Sequence, residues 1–191
     1  MNQIITEYET NGGIIPPPPI VKQEIIKEYQ DLYKCKYFIE TGTWHGDMVL
    51  AQKDNFKTII SIELSEALAE RARLIFAPYG HIHILQGDSG KLLSQAINGI
   101  NGQAIFWLDG HFSGGDTAKG DKECPILEEI DAIFVNNKKH IILIDDARCF
   151  AGKNSYPFLS DLIDYIKNKD AKYQIEVKHD IIRCVKENTK A

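Results

Sequence analysis

The chain has 191 residues, 43% hydrophobic and 26% charged, which is the make-up of one globular domain with a sizeable core and leaves little room for a second. Its formal net charge of −5 argues against a surface built to neutralise nucleic-acid phosphates, which needs a basic stripe or patch. Cys35, Cys124, Cys149 and Cys184 are scattered without a Cys-x-x-Cys pair, so spacing suggests neither a zinc site nor a dithiol motif, and reduced thiols are expected. No run approaches the ~20 apolar residues of a membrane helix, and no basic leader precedes an apolar core. The expectation is a cytoplasmic protein with a small-molecule partner and neither a nucleic-acid nor a membrane one, homo-oligomerisation being left open.

Residues 1–15 are polar and contain glycine, and Pro16-Pro17-Pro18-Pro19 follows as a stiff polyproline segment. That segment reads as a rigid lead-in strapped across the core, or as a docking motif for a proline-reading partner. Val21, Ile25, Tyr29 and Tyr33 recur every four residues with Leu32 beside them, one face of an amphipathic helix that covers the sheet or the mouth of a site. We therefore divide the chain into an N-terminal extension, 1–36, and a domain, 37–187.

From Tyr37 onward, strand-length and helix-length apolar segments alternate, the pattern of βαβ units around a parallel sheet. Strands are expected at about 37–41, 58–63, 81–86, 103–109 and 140–145, with helices near 46–53, 65–77, 90–98, 125–136 and 156–168. Ser65 and Ser89 suit N-caps, and Pro125 suits a first helical turn. Ile126, Leu127, Ile130, Ile133 and Phe134 form a core stripe, and Phe158, Leu162 and Ile166 share a face. The alternation of Tyr173, Ile175 and Val177, then Ile181 to Val185 after Lys178-His179-Asp180, predicts an antiparallel hairpin at the sheet edge.

The first strand runs into Glu40-Thr41-Gly42-Thr43-Trp44-His45-Gly46, which puts an acid and two glycines at the edge where open α/β sheets bind ligands. Glycine there lets backbone approach closely. Glu63 ends the second strand about 20 residues past Gly42, where this kind of fold hydrogen-bonds the ribose of an adenosine. Asp88 and Ser89, after the third strand, would meet the adenine or a neighbouring backbone, or simply cap the next helix. Trp44 stands where a dinucleotide fingerprint has its second glycine. S-adenosylmethionine has no pyrophosphate and carries an ammonium and a sulfonium, for which Glu40 is a sensible partner. The cofactor-binding set is thus Glu40, Thr41, Gly42, Thr43, Gly46, Glu63, Asp88 and Ser89.

Glu40-Thr41-Gly42-Thr43-x-x-Gly46-Asp47-Met48, Ser61-Ile62-Glu63-Leu64-Ser65, Gly87-Asp88-Ser89-Gly90-Lys91, Trp107-Leu108-Asp109-Gly110-His111 and Ile144-Asp145-Asp146-Ala147-Arg148 together resemble bacterial class I S-adenosylmethionine-dependent methyltransferase-like proteins, over roughly 16–185. The resemblance implies a Rossmann-like methyltransferase fold: a mostly parallel seven-stranded sheet with helices on both faces and a C-terminal antiparallel hairpin. It places the cofactor over the first two strand ends and the substrate near the fourth and fifth.

Asp109, Asp145 and Asp146 would then lie side by side, and three carboxylates repel one another unless a cation or protons intervene. All-oxygen ligation suits Mg²⁺. The arrangement is similar to that of cation-dependent O-methyltransferases, including some that act on sugars, although His111 stands where some of those have a second aspartate. Transfer to a small, carbohydrate-like acceptor needs alignment and removal of a proton, and Asp109 or His111 is the expected base. The long segment 111–124 reads as a lid, with Lys119 and Arg148 available to an anionic acceptor. The residues also leave open a dehydrogenase, a metal-dependent hydrolase, or a cofactor-binding protein without transfer activity that works through its proline-rich arm.

Overall fold

A computed structural model of the chain describes residues 2–110, 124–135 and 139–186. Five strands follow the expected order: β1 (Tyr37–Thr41), β2 (Thr58–Glu63), β3 (Ile82–Gln86), β4 (Ala104–Leu108) and β5 (Ile141–Ile144). The hairpin of β6 (Tyr173–Lys178) and β7 (Ile181–Lys186) completes a seven-stranded sheet of order β3-β2-β1-β4-β5-β7-β6. β1 to β5 pair in parallel, whereas β7 runs antiparallel to both β5 and β6.

Strand periodicity sorts the core into two halves. Ile105 and Trp107 of β4, with Ile141 and Leu143 of β5, face one layer; Phe106 and Leu108, with Ile142 and Ile144, face the other. Alternate side chains of a strand point to opposite faces, and burial on both sides explains why these strands are apolar without interruption. The first layer holds α1 (Gln3–Thr10), α2 (Pro19–Tyr33), α3 (Asp47–Gln52) and α4 (Glu66–Phe76). The second holds α5 (Ser89–Ala96), α6 (Ile126–Phe134) and α7 (Leu159–Lys169).

The N-terminal stretch is more structured than its polarity suggests. Residues read as a polar lead-in form α1, capped by the Asn2 side chain, which accepts the Ile4 N–H at 3.0 Å, and anchored by buried Ile5. A single buried apolar residue is too weak a periodic signal to mark a helix in sequence. Pro19 opens α2 at a position where its missing N–H costs nothing. Val21, Ile25 and Ile26 of α2 lie in the same core half as Phe38, Ile59 and Ile105 of the sheet, so the extension is packed into the domain it precedes.

Three local expectations are corrected. Asp88, not Ser89, caps α5, its carboxylate accepting the Gly90 N–H at 3.0 Å. Pro125 is the residue before α6 rather than its first turn. Phe158 is the extended cap of α7 and is exposed, while Leu162 and Ile166 carry the buried face.

Removing the buried side chain of α2 tests whether the extension belongs to the core. Ile26→Ala is expected to cost about 2–5 kcal/mol, read as a lower urea midpoint with an unchanged slope.

Candidate functional site

Parallel strands that start from one side also end on one side, and there the chain's acids collect. Glu40 pairs in register with Ser61 across β1 and β2. The Ser61 hydroxyl donates to Glu40 Oε2, and Thr43 Oγ1 lies 2.5 Å from Ser61 Oγ. Glu40 is 1% exposed. Burial pushes its carboxyl well above the usual range; the Ser61 hydrogen bond pulls the other way, and the negative charges of Asp109 and Glu63 push it further up.

The loop after β1 is shaped by two close approaches. Gly42 sits at φ +85°, and a Cβ there would lie 2.4 Å from the Asp109 carbonyl oxygen, so a side chain is excluded by the backbone at the end of β4. The expected close approach at this glycine is therefore first of all to the protein itself. Gly46, at φ +84°, leaves room for the Phe76 ring of α4. Between them, Trp44 adopts φ +46°, unusual for a bulky residue and a form of strain that concentrates at functional loops. Its N–H donates to Glu63 Oε2 at 2.8 Å, and the Ser65 N–H donates to Glu63 Oε1 at 2.8 Å. A carboxylate has about four acceptor sites, so Glu63 is oriented by backbone and retains capacity for a ribose diol.

Thr41 ends β1. Its Oγ1 is buried and has no hydrogen-bond partner among the described residues, a deficit that native interiors rarely leave without a reason. Asp88 serves as a helix cap and lies 3.4 Å from Lys91 Nζ. Ser89 is buried and donates to Glu129 Oε1 at 2.6 Å. Glu129 was not singled out in the sequence, where it is one of two adjacent glutamates on α6; its burial under Ser89 is a tertiary contact.

At the other half of the edge, the Asp145 N–H continues the ladder to the Leu108 carbonyl at 3.0 Å, which sets Asp145 beside Asp109. An ammonium stands beside these acids. Lys22 Nζ of α2 donates to Asp145 Oδ2 and lies 3.7 Å from Asp146 Oδ1. The other oxygen of Asp145 accepts the Asp146 N–H at 2.8 Å, so both are engaged. Burial alone would lower the Lys22 ammonium, yet Asp145, Asp109 and Asp146 outweigh it and hold the group above its ordinary value.

Arg148 lies 2.7 Å from Asp146 Oδ1 and also binds Asp180 Oδ2, while its N–H donates to Asp180 Oδ1 at 2.9 Å. Arg148 thus ties the β5 loop to the β6–β7 turn, a correction to its reading as a contact for an anionic acceptor. Among the described residues, no group of three or more His, Cys, Asp or Glu side chains is arranged to hold a metal ion. The expected set Asp109, Asp145 and Asp146 does not fit a resident Mg²⁺ as it stands, because Lys22 and Arg148 hold the oxygens a metal would need. His111, Lys119 and the lid segment 111–123 lie outside the described residues.

Lys22 went unnoticed in the sequence. The signal was there: it stands four residues before the fully buried Ile26, so it shares that residue's side of the helix, where a lysine requires a carboxylate.

The buried acid of the loop carries a pH-dependent test. Above the ordinary carboxyl value of 4.5, the unfolded chain gives up a proton that folded Glu40 keeps, so stability falls as pH rises through the folded value. Glu40→Gln is expected to flatten that decline. At about pH 8 it should raise Tm by ~2–4 °C for each kcal/mol of charge burial relieved, with no difference from wild type below the ordinary value, read from melting profiles across the range.

No family model matches the sequence, and no curated protein matches it either. Solved structures do resemble it in fold. An O-methyltransferase from Bacillus cereus in complex with S-adenosylhomocysteine is 12% identical with a TM-score of 0.60, over 97% of this chain and 92% of that one. The S-adenosylhomocysteine-bound methyltransferase PaMTH1 of Podospora anserina is 14% identical with a TM-score of 0.58, over 98% and 89%. TomG, an O-methyltransferase of tomaymycin synthesis from Streptomyces achromogenes in complex with S-adenosylmethionine, is 10% identical with a TM-score of 0.58, over 98% and 91%. At such identities the likeness is one of architecture, and the chain has the Rossmann-like fold of S-adenosylmethionine-dependent methyltransferases.

Proposed function

We propose that the protein is an S-adenosylmethionine-dependent methyltransferase acting on a hydroxyl oxygen of a small, carbohydrate-like acceptor in the cytoplasm. The observation that carries the reading is the Glu63 carboxylate, oriented by two backbone N–H groups and left with acceptor capacity beside a glycine loop. The same loop argues against a dinucleotide. A pyrophosphate needs free backbone N–H groups at this turn, and the Trp44 N–H is already committed to Glu63.

Bound there, S-adenosylmethionine would supply a methyl group on a positively charged sulfur, already a good leaving group. Glu63 binds the ribose hydroxyls, and Thr41 offers its unpartnered hydroxyl. Glu40 places negative charge beneath the loop, and a cation bound above it draws the carboxyl back toward its ionised form. Asp109, Asp146 and Lys22 form a polar rim that suits a hydroxyl-rich acceptor held in line with the methyl. With that donor bound, Asp109, or His111 beyond the described residues, would take the proton of the acceptor hydroxyl. Magnesium is left out of this reading because Lys22 already engages Asp145. No helix among the described residues is long and apolar enough to cross a membrane.

Thermal unfolding with S-adenosylhomocysteine and, separately, with NAD tests the proposal. A ligand at 100 times its Kd adds about 2.7 kcal/mol, so S-adenosylhomocysteine should raise Tm by roughly 5–10 °C and NAD should leave it unchanged. A shift with NAD alone would sink the methyltransferase reading. Glu63→Ala is expected to abolish most of the S-adenosylhomocysteine shift while leaving the ligand-free Tm within about 5 °C of wild type.

A further inference from the structure

We infer that Lys22 is the built-in cation of the acceptor site, holding together Asp109, Asp145 and Asp146 in the place that a divalent metal would take, so that methyl transfer proceeds without one. This rests on the reading of the strand ends as a methyl-transfer site.

Register is the first support. Ile105 and Trp107 of β4, and Ile141 and Leu143 of β5, face the layer that contains α2. Asp109 and Asp145 continue those same odd-numbered positions one step past each strand, so both lie on the α2 side of the edge. Lys22 is on α2, whose rotation about its own axis is fixed by buried Val21, Ile25 and Ile26. The helix is further held by Gln52 of α3, whose side-chain amide donates to the Gln23 carbonyl at 2.9 Å. The lysine is therefore delivered by a packed helix and is not a surface side chain folded over a cleft; its side chain is 16% exposed, against 1% for Asp145.

Charge is the second support. Lys22 contacts Asp145 and approaches Asp146, and Arg148 contacts Asp146 from the other side. Lys22 thus supplies fixed positive charge where a divalent ion would otherwise bring it, while Arg148 divides its own between Asp146 and Asp180. Breaking a buried pair by removing one partner leaves an uncompensated charge, so the buried Asp145 carboxylate needs the ammonium or another cation in its place. An ammonium has three donors. Among the described residues one is used in a hydrogen bond, to Asp145, because 3.7 Å to Asp146 exceeds hydrogen-bond reach. The remaining donors are available to an acceptor oxygen, the task a metal performs in a cation-dependent enzyme.

The test titrates Mg²⁺ alone into the full-length protein by calorimetry, comparing wild type with Lys22→Met and Lys22→Arg. Wild type and Lys22→Arg are expected to show no one-to-one Mg²⁺ binding. Lys22→Met, with Asp145 uncompensated, is expected to bind one Mg²⁺ at least about 10-fold more tightly than wild type and to recover thermal stability when Mg²⁺ is added. One-to-one binding by wild type as tight as that of Lys22→Met would overturn the proposal, since the lysine would then be a displaceable neighbour of a true metal site. Should Lys22→Met not fold without added metal, rescue of its folding by Mg²⁺ supports the assignment, and one-to-one Mg²⁺ binding by wild type still refutes it. S-adenosylhomocysteine titrated into wild type separates the two readings: absence of binding there sinks the methyltransferase proposal, while the Mg²⁺ comparison continues to decide the role of the lysine.

Discussion

Burying a row of carboxylates along one sheet edge is the constraint around which this molecule is organised. Glu40, Asp109 and Asp145 lie at the ends of neighbouring strands whose ladders keep them in step; burial and the charge of Asp109 raise the cost of ionising Glu40, and burial and the charge of Asp146 raise that of Asp145. Each end of the row answers this differently. Glu40 is held by the Ser61 hydroxyl and favours its protonated form, whereas Asp145 receives an ammonium from α2. Asp109 acts on both, since its charge raises Glu40 and also favours the charged form of Lys22. The two ends of the row are thus electrostatically linked through one residue.

The glycine loop shows how close packing and ligand chemistry share the same atoms. Gly42 lacks a side chain because the Asp109 carbonyl occupies that space, and the resulting turn carries Trp44 into a left-handed backbone conformation. That conformation sends the Trp44 N–H to Glu63. A turn that in a dinucleotide-binding protein would offer its N–H groups to phosphate instead orients a carboxylate.

The helices of the N-terminal segment change the meaning of the site more than any strand does. α1 is tied to the far end of the chain by Glu9, which reaches His179 Nε2 at 2.8 Å and Lys178 Nζ at 2.7 Å. α2 contributes both core, through Ile25 and Ile26, and a charge, through Lys22. What reads in sequence as a polyproline lead-in to a cover helix carries the lysine that pairs with the carboxylate after β5.

Taken alone, the sequence determined the sheet and its order of elements. Strand-length apolar runs separated by helical stripes admit few other arrangements, and β1, β2 and the hairpin lie within a residue of where those runs place them. It also placed Glu40, Glu63, Asp109 and Asp145 at strand ends, because a charged residue that closes an apolar run marks the boundary itself. Capping roles were less legible: Asp88 and Ser89 are adjacent, and only the backbone turn decides which one caps α5 and which turns inward to Glu129. Tertiary structure alone decided what neutralises the acids. Lys22 and Asp145 are 123 residues apart, and no local periodicity relates a helix before the first strand to the end of the fifth. Their meeting depends on which face of the sheet α2 covers and how it is rotated, both of which are set by the packing of Val21, Ile25 and Ile26 against the strands.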